Sequence, residues 1–316
     1  MKTELKTFIL SYTTYSNKEY QIPLSYQLFG KRLFSAPIIM VNHALTGNSD
    51  VAGEKGWWKT LVGNQKTIDT SQFTIICFNI PGNGYDGVLL DRYEDFSIRD
   101  IAQLFLNGLK YLNIHKLYAL IGGSIGGSIG WQMMALEKNL AEKFIPIATN
   151  YKTTDWMYAQ CIIQKCLLES THQPLEKARM HAMLCYRTPE SINSRFKREK
   201  DEMQQQLQSQ NWLEYHGKEL NDRFSLEAYW LVNHLLTTMS VTEEEISSIN
   251  ANISIVSIDT DLFYPASENQ LTFELLKNKN KNVRHFVISS IHGHDAFLME
   301  YKQLNMIINT IFDHEK

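Results

Sequence analysis

The sequence predicts an α/β protein with a mostly parallel, doubly wound sheet into which a helical lid is inserted. Short apolar runs rich in β-branched residues alternate along the chain with stretches of helical pattern. Such runs are typical of strands buried on both faces of a parallel sheet. Their alternation with helices implies right-handed βαβ crossovers. A long helical block then separates two groups of strands, which predicts the inserted lid.

The first part of the chain predicts a β-hairpin or meander. Apolar and aromatic residues mark strands at Phe8–Tyr12, Tyr20–Ile22 and Leu24–Phe29, and the polar residues Ser16–Lys18 mark a turn. The later apolar runs predict six buried strands, at Ile38–Val41, Phe73–Phe78, Leu117–Ile121, Phe144–Ile147, Ile253–Ile258 and Phe286–Ile288.

The clearest helical pattern begins at Ser97. Asp100 follows three residues later, which gives a near capping box. The apolar residues that then fall on one face are Ile101, Leu104, Phe105 and Leu112. This segment therefore predicts an amphipathic helix that packs on the sheet.

The character of the chain changes between residues 151 and 249, where strand patterns vanish and glutamine, methionine and glutamate become frequent. Strand patterns return at Ile253. We therefore predict a core formed by residues 1–150 and 250–316, and a helical lid formed by residues 151–249. A lid in this position would cover the carboxyl edge of the sheet, where doubly wound folds bind ligands.

Charge and cysteine content restrict the functional class. The 316 residues include 31 basic and 34 acidic side chains, for a net charge of -3, which gives no electrostatic reason to bind nucleic acid or an anionic membrane. The cysteines Cys77, Cys161, Cys166 and Cys185 form no CxxC pair, so we expect reduced, buried thiols in a cytoplasmic protein. No cluster of side chains at metal-binding spacing is apparent, and no metal is expected.

No membrane segment is expected. The first ten residues contain a glutamate and two lysines, and the long apolar region of a signal peptide is missing. Leu117–Leu136 is uncharged over 20 residues, but glycines and serines interrupt it. This stretch is better explained by a buried strand followed by a tightly packed helix.

A nucleophile elbow follows the strand at Leu117–Ile121. The run GGSIGGSIG contains two overlapping G-x-S-x-G matches, centred on Ser124 and Ser128. Ser124 lies where the strand-to-helix turn must be, whereas Ser128 falls about one turn into the helix and suits packing. Gly122 and Gly126 leave room for that turn. A phosphate-binding loop would need a following GK[ST], and a dinucleotide fingerprint would need a different glycine register.

An acid and a base follow in the order that α/β-hydrolases use, which makes the α/β-hydrolase fold the specific prediction. Asp261 lies in the loop after Ile253–Ile258 and is favoured as the acid, with Asp259 as the alternative that closes the turn. After the last strand, His294 is favoured over His292 as the base, and we expect it to open the C-terminal helix. It follows Asp261 by 33 residues (294 − 261), a spacing that fits one helix and one strand.

An oxyanion hole needs two backbone N–H donors. The residue after the nucleophile, Ile125, supplies one, and the loop after an early strand supplies the other. That strand is Ile38–Val41, and its loop has the sequence NHALTGNSD.

Together these segments resemble the homoserine O-acetyltransferases of methionine biosynthesis. The motifs that carry the resemblance, in the order of that family, are HALTG, GWW, VGNQKTIDTSQFTIICFN, SIRD, GGSIGG, IPIAT, DLFYP and GHDAFL. They extend from about residue 42 to residue 300 and so cover most of the chain. HALTG and GHDAFL together are far more specific than the elbow.

The resemblance implies roles for individual residues. Ser124, Asp261 and His294 would form the catalytic triad, and Leu45 would supply the second oxyanion N–H. The lid segment ARMHAMLCYR is similar to the substrate-binding helix of the family. The substrate-binding residues implied in this way are Arg179 for the amino-acid carboxylate, Tyr186 for the pocket wall and Asp295 for the ammonium.

The resemblance also implies a cytoplasmic enzyme that transfers acetyl from acetyl-CoA to L-homoserine by a ping-pong mechanism. Acetyl-CoA would be a co-substrate and no cofactor would be needed. A homodimer through the lid helices is implied as well. The turn IPGNGYDG is shorter than its counterpart in the family. Alternatives are therefore an esterase, an acyltransferase that uses succinyl-CoA or serine, or a binding protein on the same fold.

Overall fold

The computed structural model describes residues 4–201, 205–279 and 281–313. Within these residues, eight strands form one sheet in the order β1-β2-β6-β3-β7-β8-β9-β10, and β4 and β5 form a separate pair. The strands are β1 Lys6–Thr13, β2 Glu19–Gly30, β3 Ile38–Asn42, β4 Val62–Gly63, β5 Ile68–Asp69, β6 Thr74–Phe78, β7 Leu117–Gly123, β8 Ala141–Ile147, β9 Asn252–Ile258 and β10 Val283–Ile288.

The sheet is mostly parallel, as predicted. Strand β1 runs antiparallel to β2, and β2 runs antiparallel to β6. The pairs from β6 through to β10 are all parallel. Strands β3 and β6 are buried along their whole length, because helices cover both faces of the sheet. The predicted α/β class is therefore confirmed.

Each of the six predicted buried strands coincides with an observed strand. The hairpin differs, because β2 is continuous where the sequence suggested a break at Pro23. Pro23 pairs with Ile9 on β1. On its other side β2 pairs with β6 only from Tyr26 onward. The missing N–H of the proline is tolerated where one side of a strand is open.

Six helices, α3 to α8, lie between β8 and β9, in the part of the chain predicted to form the lid. The helices are α1 Ile98–Tyr111, α2 Ile125–Leu136, α3 Asp155–Leu168, α4 Pro174–Tyr186, α5 Pro189–Phe196, α6 Gln208–Asn221, α7 Leu226–Leu236, α8 Glu243–Ser247, α9 Ala266–Asn278 and α10 Tyr301–Asp313. In the part of the chain that the structure describes, none of them has the length and apolar character needed to cross a bilayer.

Helix α1 begins with a complete capping box. The backbone N–H of Asp100 donates to the Ser97 hydroxyl, and the Ser97 N–H donates to the Asp100 carboxylate. The other carboxylate oxygen accepts from the Tyr12 hydroxyl at 2.9 Å and from the Tyr15 N–H at 2.8 Å. One buried aspartate therefore caps the helix and also ties it to the hairpin at the edge of the sheet.

The prediction that His294 opens the C-terminal helix is wrong. His294 lies in a separate short 3-10 helix, Gly293–Leu298, and α10 begins only at Tyr301. The backbone leaves the helical conformation at Met299, with φ -130° and ψ -43°. The Glu300 carboxylate accepts from the Ser290 hydroxyl at 2.7 Å, which fixes the start of α10 against the preceding loop. His294 therefore precedes the C-terminal helix and belongs to a short 3-10 helix between β10 and α10.

The cysteines are all free, but they are not all buried as predicted. Cys77 and Cys161 are buried, Cys185 is half-buried and Cys166 is exposed. Cys166 lies on the solvent side of α3. Burial raises the pKa of the Cys161 thiol to about 12 and so keeps it neutral.

Candidate active site

Ser124 occupies a strained turn between β7 and α2. Its backbone angles are φ 55° and ψ -131°, in a region that side chains rarely adopt. The turn depends on two glycines. A Cβ atom at Gly122 would lie 2.3 Å from the carbonyl oxygen of Gly126, and one at Gly126 would lie 2.4 Å from the carbonyl oxygen of Asn42. Only glycine fits at either position. The tight turn therefore accounts for both glycines of the G-x-S-x-G motif.

Ser124, Asp261 and His294 form one chain of hydrogen bonds. The hydroxyl of Ser124 lies 3.0 Å from Nε2 of His294, and Nδ1 of His294 lies 2.8 Å from Oδ2 of Asp261. They follow β7, β9 and β10, so they meet at the carboxyl edge of the sheet. All three are buried. This geometry suits proton transfer from the serine to the histidine.

The Asp261 carboxylate is fixed by its own loop. Its second oxygen, Oδ1, accepts from the backbone N–H of Phe263 at 2.7 Å and of Tyr264 at 2.8 Å. Both oxygens are therefore engaged, one by the backbone and one by His294. This arrangement leaves the carboxylate one orientation toward the imidazole.

The alternative residues have other contacts. The Ser128 hydroxyl bonds to Thr149 at 2.8 Å inside the core. Asp259 accepts from the Ser289 hydroxyl at 2.7 Å and so closes the turn after β9. His292 bonds through Nδ1 to a serine hydroxyl of lid helix α5 at 2.9 Å. None of these three side chains has a hydrogen bond to the Ser124–His294–Asp261 chain among the described residues.

The two predicted oxyanion donors border the same site. Ile125 is the first residue of α2, where backbone N–H groups lack partners within the helix. Leu45 lies in the loop after β3 and is buried. His43 braces this loop: the backbone N–H of Ile80 donates to its Nε2 at 3.0 Å, so its Nδ1 carries the proton and donates to the Ala44 carbonyl at 2.8 Å.

Burial keeps His43 neutral. Desolvation lowers its pKa to about 4, and the hydrogen bond to the Ala44 carbonyl opposes that shift only in part. A second brace comes from the lid, where the Arg223 guanidinium donates to the Thr46 carbonyl at 2.9 Å. Sequence analysis missed both residues. His43 is the first residue of the HALTG motif, but only its contacts in the structure show that it supports this loop.

Aromatic rings surround the His294 imidazole. Their centroids lie 5.0 to 5.7 Å from that of the imidazole, and they belong to Phe263, Phe297, Tyr186 and Tyr264. Burial raises the pKa of Tyr186 well above its usual range, so this phenol stays neutral. The rings keep bulk water away from the histidine, which strengthens electrostatic interactions at the site.

Of the three residues predicted to bind substrate, Tyr186 lies against the His294 ring, Asp295 follows His294 in the chain and Arg179 lies against Tyr186. Tyr186 contacts the imidazole, and the Arg179 guanidinium lies 5.6 Å from the Tyr186 ring centroid. Asp295 directly follows the histidine, but it already forms an ion pair. Nε of Arg187 lies 2.8 Å from its Oδ2, with side chains only 13% and 18% exposed. Sequence analysis missed Arg187 as a partner, since 108 residues separate the two.

A small, mostly apolar cavity adjoins the site under the lid. Leu45, Tyr186 and Phe263 form the wall nearest His294, and side chains of α3 and α7 form the opposite wall. None of the described side chains that line it carries a charge. Besides Tyr186, its polar side chains are Gln160 and Gln164 of α3 and Tyr229 and Asn233 of α7, together with two cysteine thiols. Elsewhere in the described residues, no group of three or more His, Cys, Asp or Glu side chains is placed to hold a metal.

Comparison with known proteins gives a consistent picture. A family model described as the alpha/beta hydrolase fold matches residues 37–225. Homoserine O-acetyltransferase of Cyclobacterium marinum is 30% identical, over 87% of this chain and 84% of that protein. Homoserine O-acetyltransferase of Salinibacter ruber is 28% identical, over 92% of this chain and 91% of its own length.

Solved structures show the same fold. Homoserine O-acetyltransferase from Bacillus anthracis has a TM-score of 0.86 at 18% identity and covers 99% of this chain and 98% of its own. Esterase E22 has a TM-score of 0.86 at 19% identity, with coverage of 98% and 99%. Because a transferase and an esterase fit equally well, the fold alone does not separate the two chemistries.

Proposed function

We propose, from the premise that this chain belongs to the homoserine O-acetyltransferase family of α/β-hydrolase-fold enzymes, that it transfers an acetyl group from acetyl-CoA to the hydroxyl of L-homoserine. The observation that carries the proposal is the hydrogen-bonded chain Ser124–His294–Asp261 at a nucleophile elbow. Transfer would proceed through an acetyl ester on Ser124, and this chemistry needs no cofactor.

In the first half-reaction, Ser124 Oγ attacks the thioester carbonyl of acetyl-CoA while its proton moves to Nε2 of His294. The negative charge on the carbonyl oxygen would be stabilised by the N–H groups of Leu45 and Ile125. Asp261 holds the imidazolium that forms. When the C–S bond breaks, the CoA sulfur takes the proton from His294, and Ser124 is left as an acetyl ester.

In the second half-reaction, the homoserine hydroxyl gives its proton to Nε2 of His294 and attacks the acetyl ester. The Ser124–acyl bond breaks, and the serine oxygen recovers the proton from the histidine. Water is the competing nucleophile at this stage. The aromatic rings around His294 and the lid above it limit the access of water, which favours transfer over hydrolysis.

The acceptor would be held by groups of opposite charge. Arg179 would bind the homoserine carboxylate, since a guanidinium suits bidentate contacts to a carboxylate. Asp295 would bind the ammonium, and Arg187 fixes the orientation of Asp295 through the ion pair. Tyr186 would form the wall between the acceptor and the acyl group.

The cavity under the lid favours acetyl over succinyl as the acyl group. A succinyl ester on Ser124 would carry a carboxylate toward this cavity, and no lining side chain offers a compensating charge. Burying an unpaired carboxylate is expensive. An acetyl group brings only a methyl there.

The test is thiol release from acetyl-CoA by the purified protein, with homoserine, with serine or without acceptor. We expect release that depends on homoserine, together with O-acetylhomoserine detected by mass spectrometry. Ser124→Ala should abolish both. Equal release without acceptor would indicate an esterase. Release from succinyl-CoA alone would contradict the assignment of the donor.

We also propose that the lid mediates homodimer formation. Helix α3 exposes Trp156, Ile162 and Ile163 at 51%, 40% and 48%, and Leu184 on α4 is 49% exposed. Helices α3 and α4 pack against each other, and exposed apolar side chains on adjacent elements are typical of interaction surfaces. One chain has a mass of 36.6 kDa, and light scattering should give twice that mass. Ile163→Glu should shift the measured mass toward that of the monomer. A wild-type mass of one chain would refute the proposal.

A further inference from the structure

Gln160 on α3 is a buried amide without a protein partner. Its side chain lines the cavity under the lid, and the residue is only 7% exposed. Among the described residues, neither its Oε1 nor its Nε2 has a hydrogen-bond partner. Because an unpaired amide in an apolar site is costly, such a group calls for an explanation.

The other polar side chains of the cavity are already engaged. The Tyr229 hydroxyl donates to Oε1 of Gln164 at 3.2 Å, and Nε2 of Gln164 lies 2.9 Å from Nδ1 of His181. Asn233 donates to the Cys161 carbonyl at 3.1 Å. Among the described amides that line this cavity, Gln160 is therefore the one whose oxygen and nitrogen are both buried without a partner.

The cavity is separated from His294 by the rings of its own wall. Leu45, the predicted oxyanion donor, forms part of its wall, as do Tyr186 and Phe263, whose rings contact His294. With its carbonyl oxygen held by the Leu45 and Ile125 N–H groups, an acyl group on Ser124 would extend its substituent past Tyr186 and Phe263 toward this cavity. A methyl group is short, whereas each added carbon would extend toward the lid.

We propose that this cavity is the acyl pocket and that Gln160 determines acyl-chain length. A propionyl or butyryl chain would place apolar carbons against the Gln160 amide and exclude any polar partner from it, whereas an acetyl group would not. Gln160 thereby selects the two-carbon acyl group. This inference rests on the proposed acyl transfer through Ser124.

The test is the burst of p-nitrophenol from p-nitrophenyl acetate, propionate and butyrate, which reports acylation of Ser124 without CoA or homoserine. In Gln160→Met, which keeps an unbranched side chain and removes the amide, we expect the butyrate-to-acetate ratio of burst rates to rise about tenfold. Gln132→Met is the matched control. Gln132 lies on α2, is fully buried, also lacks amide partners and does not line the cavity.

An unchanged ratio in Gln160→Met, or an equal rise in Gln132→Met, would overturn the inference. Gln160→Leu also removes the amide but has a branched side chain, and it must show the same rise. With two such variants, the failure of one to fold does not decide the outcome. If the butyrate-to-acetate ratio rises only in Gln160→Ala, side-chain volume and not the amide sets the acyl-chain length, and the inference is overturned. A normal burst without homoserine acetylation refutes only the proposed transferase. No burst from the wild type refutes both.

Discussion

Asp261→Asn tests how the carboxylate controls the proton on His294. In the structure, Oδ1 accepts from the N–H groups of Phe263 and Tyr264, and Oδ2 faces Nδ1 of His294 at 2.8 Å. An asparagine must keep its amide oxygen toward the two backbone donors, because an NH2 group cannot accept from them. Its NH2 then faces Nδ1, and the imidazole has to accept there.

An imidazole that accepts at Nδ1 carries its proton on Nε2. That nitrogen lies 3.0 Å from the Ser124 hydroxyl and can then only donate to it. The serine loses its general base, and we expect the acylation rate to fall about 10⁴-fold, or about 5.5 kcal/mol of barrier. Stability should change little, since both backbone hydrogen bonds persist.

The measurement is the burst rate with p-nitrophenyl acetate, with thermal unfolding as the check on folding. Asp259→Asn is the control, because Asp259 is exposed and bonds to Ser289 rather than to the histidine. Its burst rate should stay within a few-fold of the wild type. A rate for Asp261→Asn within tenfold of the wild type would refute the tautomer argument, as would a larger loss in Asp259→Asn.

Three further predictions concern stability. In a double-mutant cycle of Arg187→Met and Asp295→Asn followed by urea unfolding, we expect a coupling of about 1.5–3 kcal/mol, because the pair is mostly buried; additive losses would contradict it. Because burial lowers the pKa of His43 to about 4, the unfolded chain binds a proton between pH 6.5 and 4 that the folded chain excludes. Neutral His43 therefore leaves the free energy of unfolding unchanged above pH 6.5. Between pH 6.5 and pH 4 the free energy of unfolding falls by about 3 kcal/mol. Parallel pH profiles for the wild type and His43→Asn would rule it out. Ser124→Gly should unfold with about 1 kcal/mol more free energy than Ser124→Ala, because glycine relieves the strained φ of 55°; equal stabilities would exclude that strain.

The strands were predictable because strands buried on both faces of a parallel sheet are short, dense runs of apolar, β-branched residues. The cap of α1 was equally visible, since Ser97 and Asp100 act over three residues. The separation of His294 from α10 was not predictable from the sequence. Gly293–Leu298 and Tyr301–Asp313 share one apolar pattern, and the break between them coincides with a contact of Glu300 with Ser290 that the pattern does not show.

Chain order and motif pointed to Ser124, Asp261 and His294, which hydrogen bonds join in the structure. The contacts that hold the site were not predictable from the sequence. Arg187 pairs with Asp295 across 108 residues, and Arg223 reaches Thr46 across 177 residues. Both join the lid to a loop at the sheet edge. Neither pairing leaves a periodic or local pattern in the sequence, so they appear only when the lid is placed on the core.

The order of residues along the chain has a consequence for synthesis. Ser124 and His294 are 170 residues apart, and the whole lid is made between them. At about 5–20 residues per second, a ribosome needs roughly 10 to 30 seconds to add the base after the nucleophile. Strand β9, which pairs with β8 and precedes Asp261, arrives only after the lid has emerged. On the proposed mechanism, a nascent chain carries Ser124 without the residues that would activate it, and acyl transfer has to wait until the second part of the sheet has joined the first.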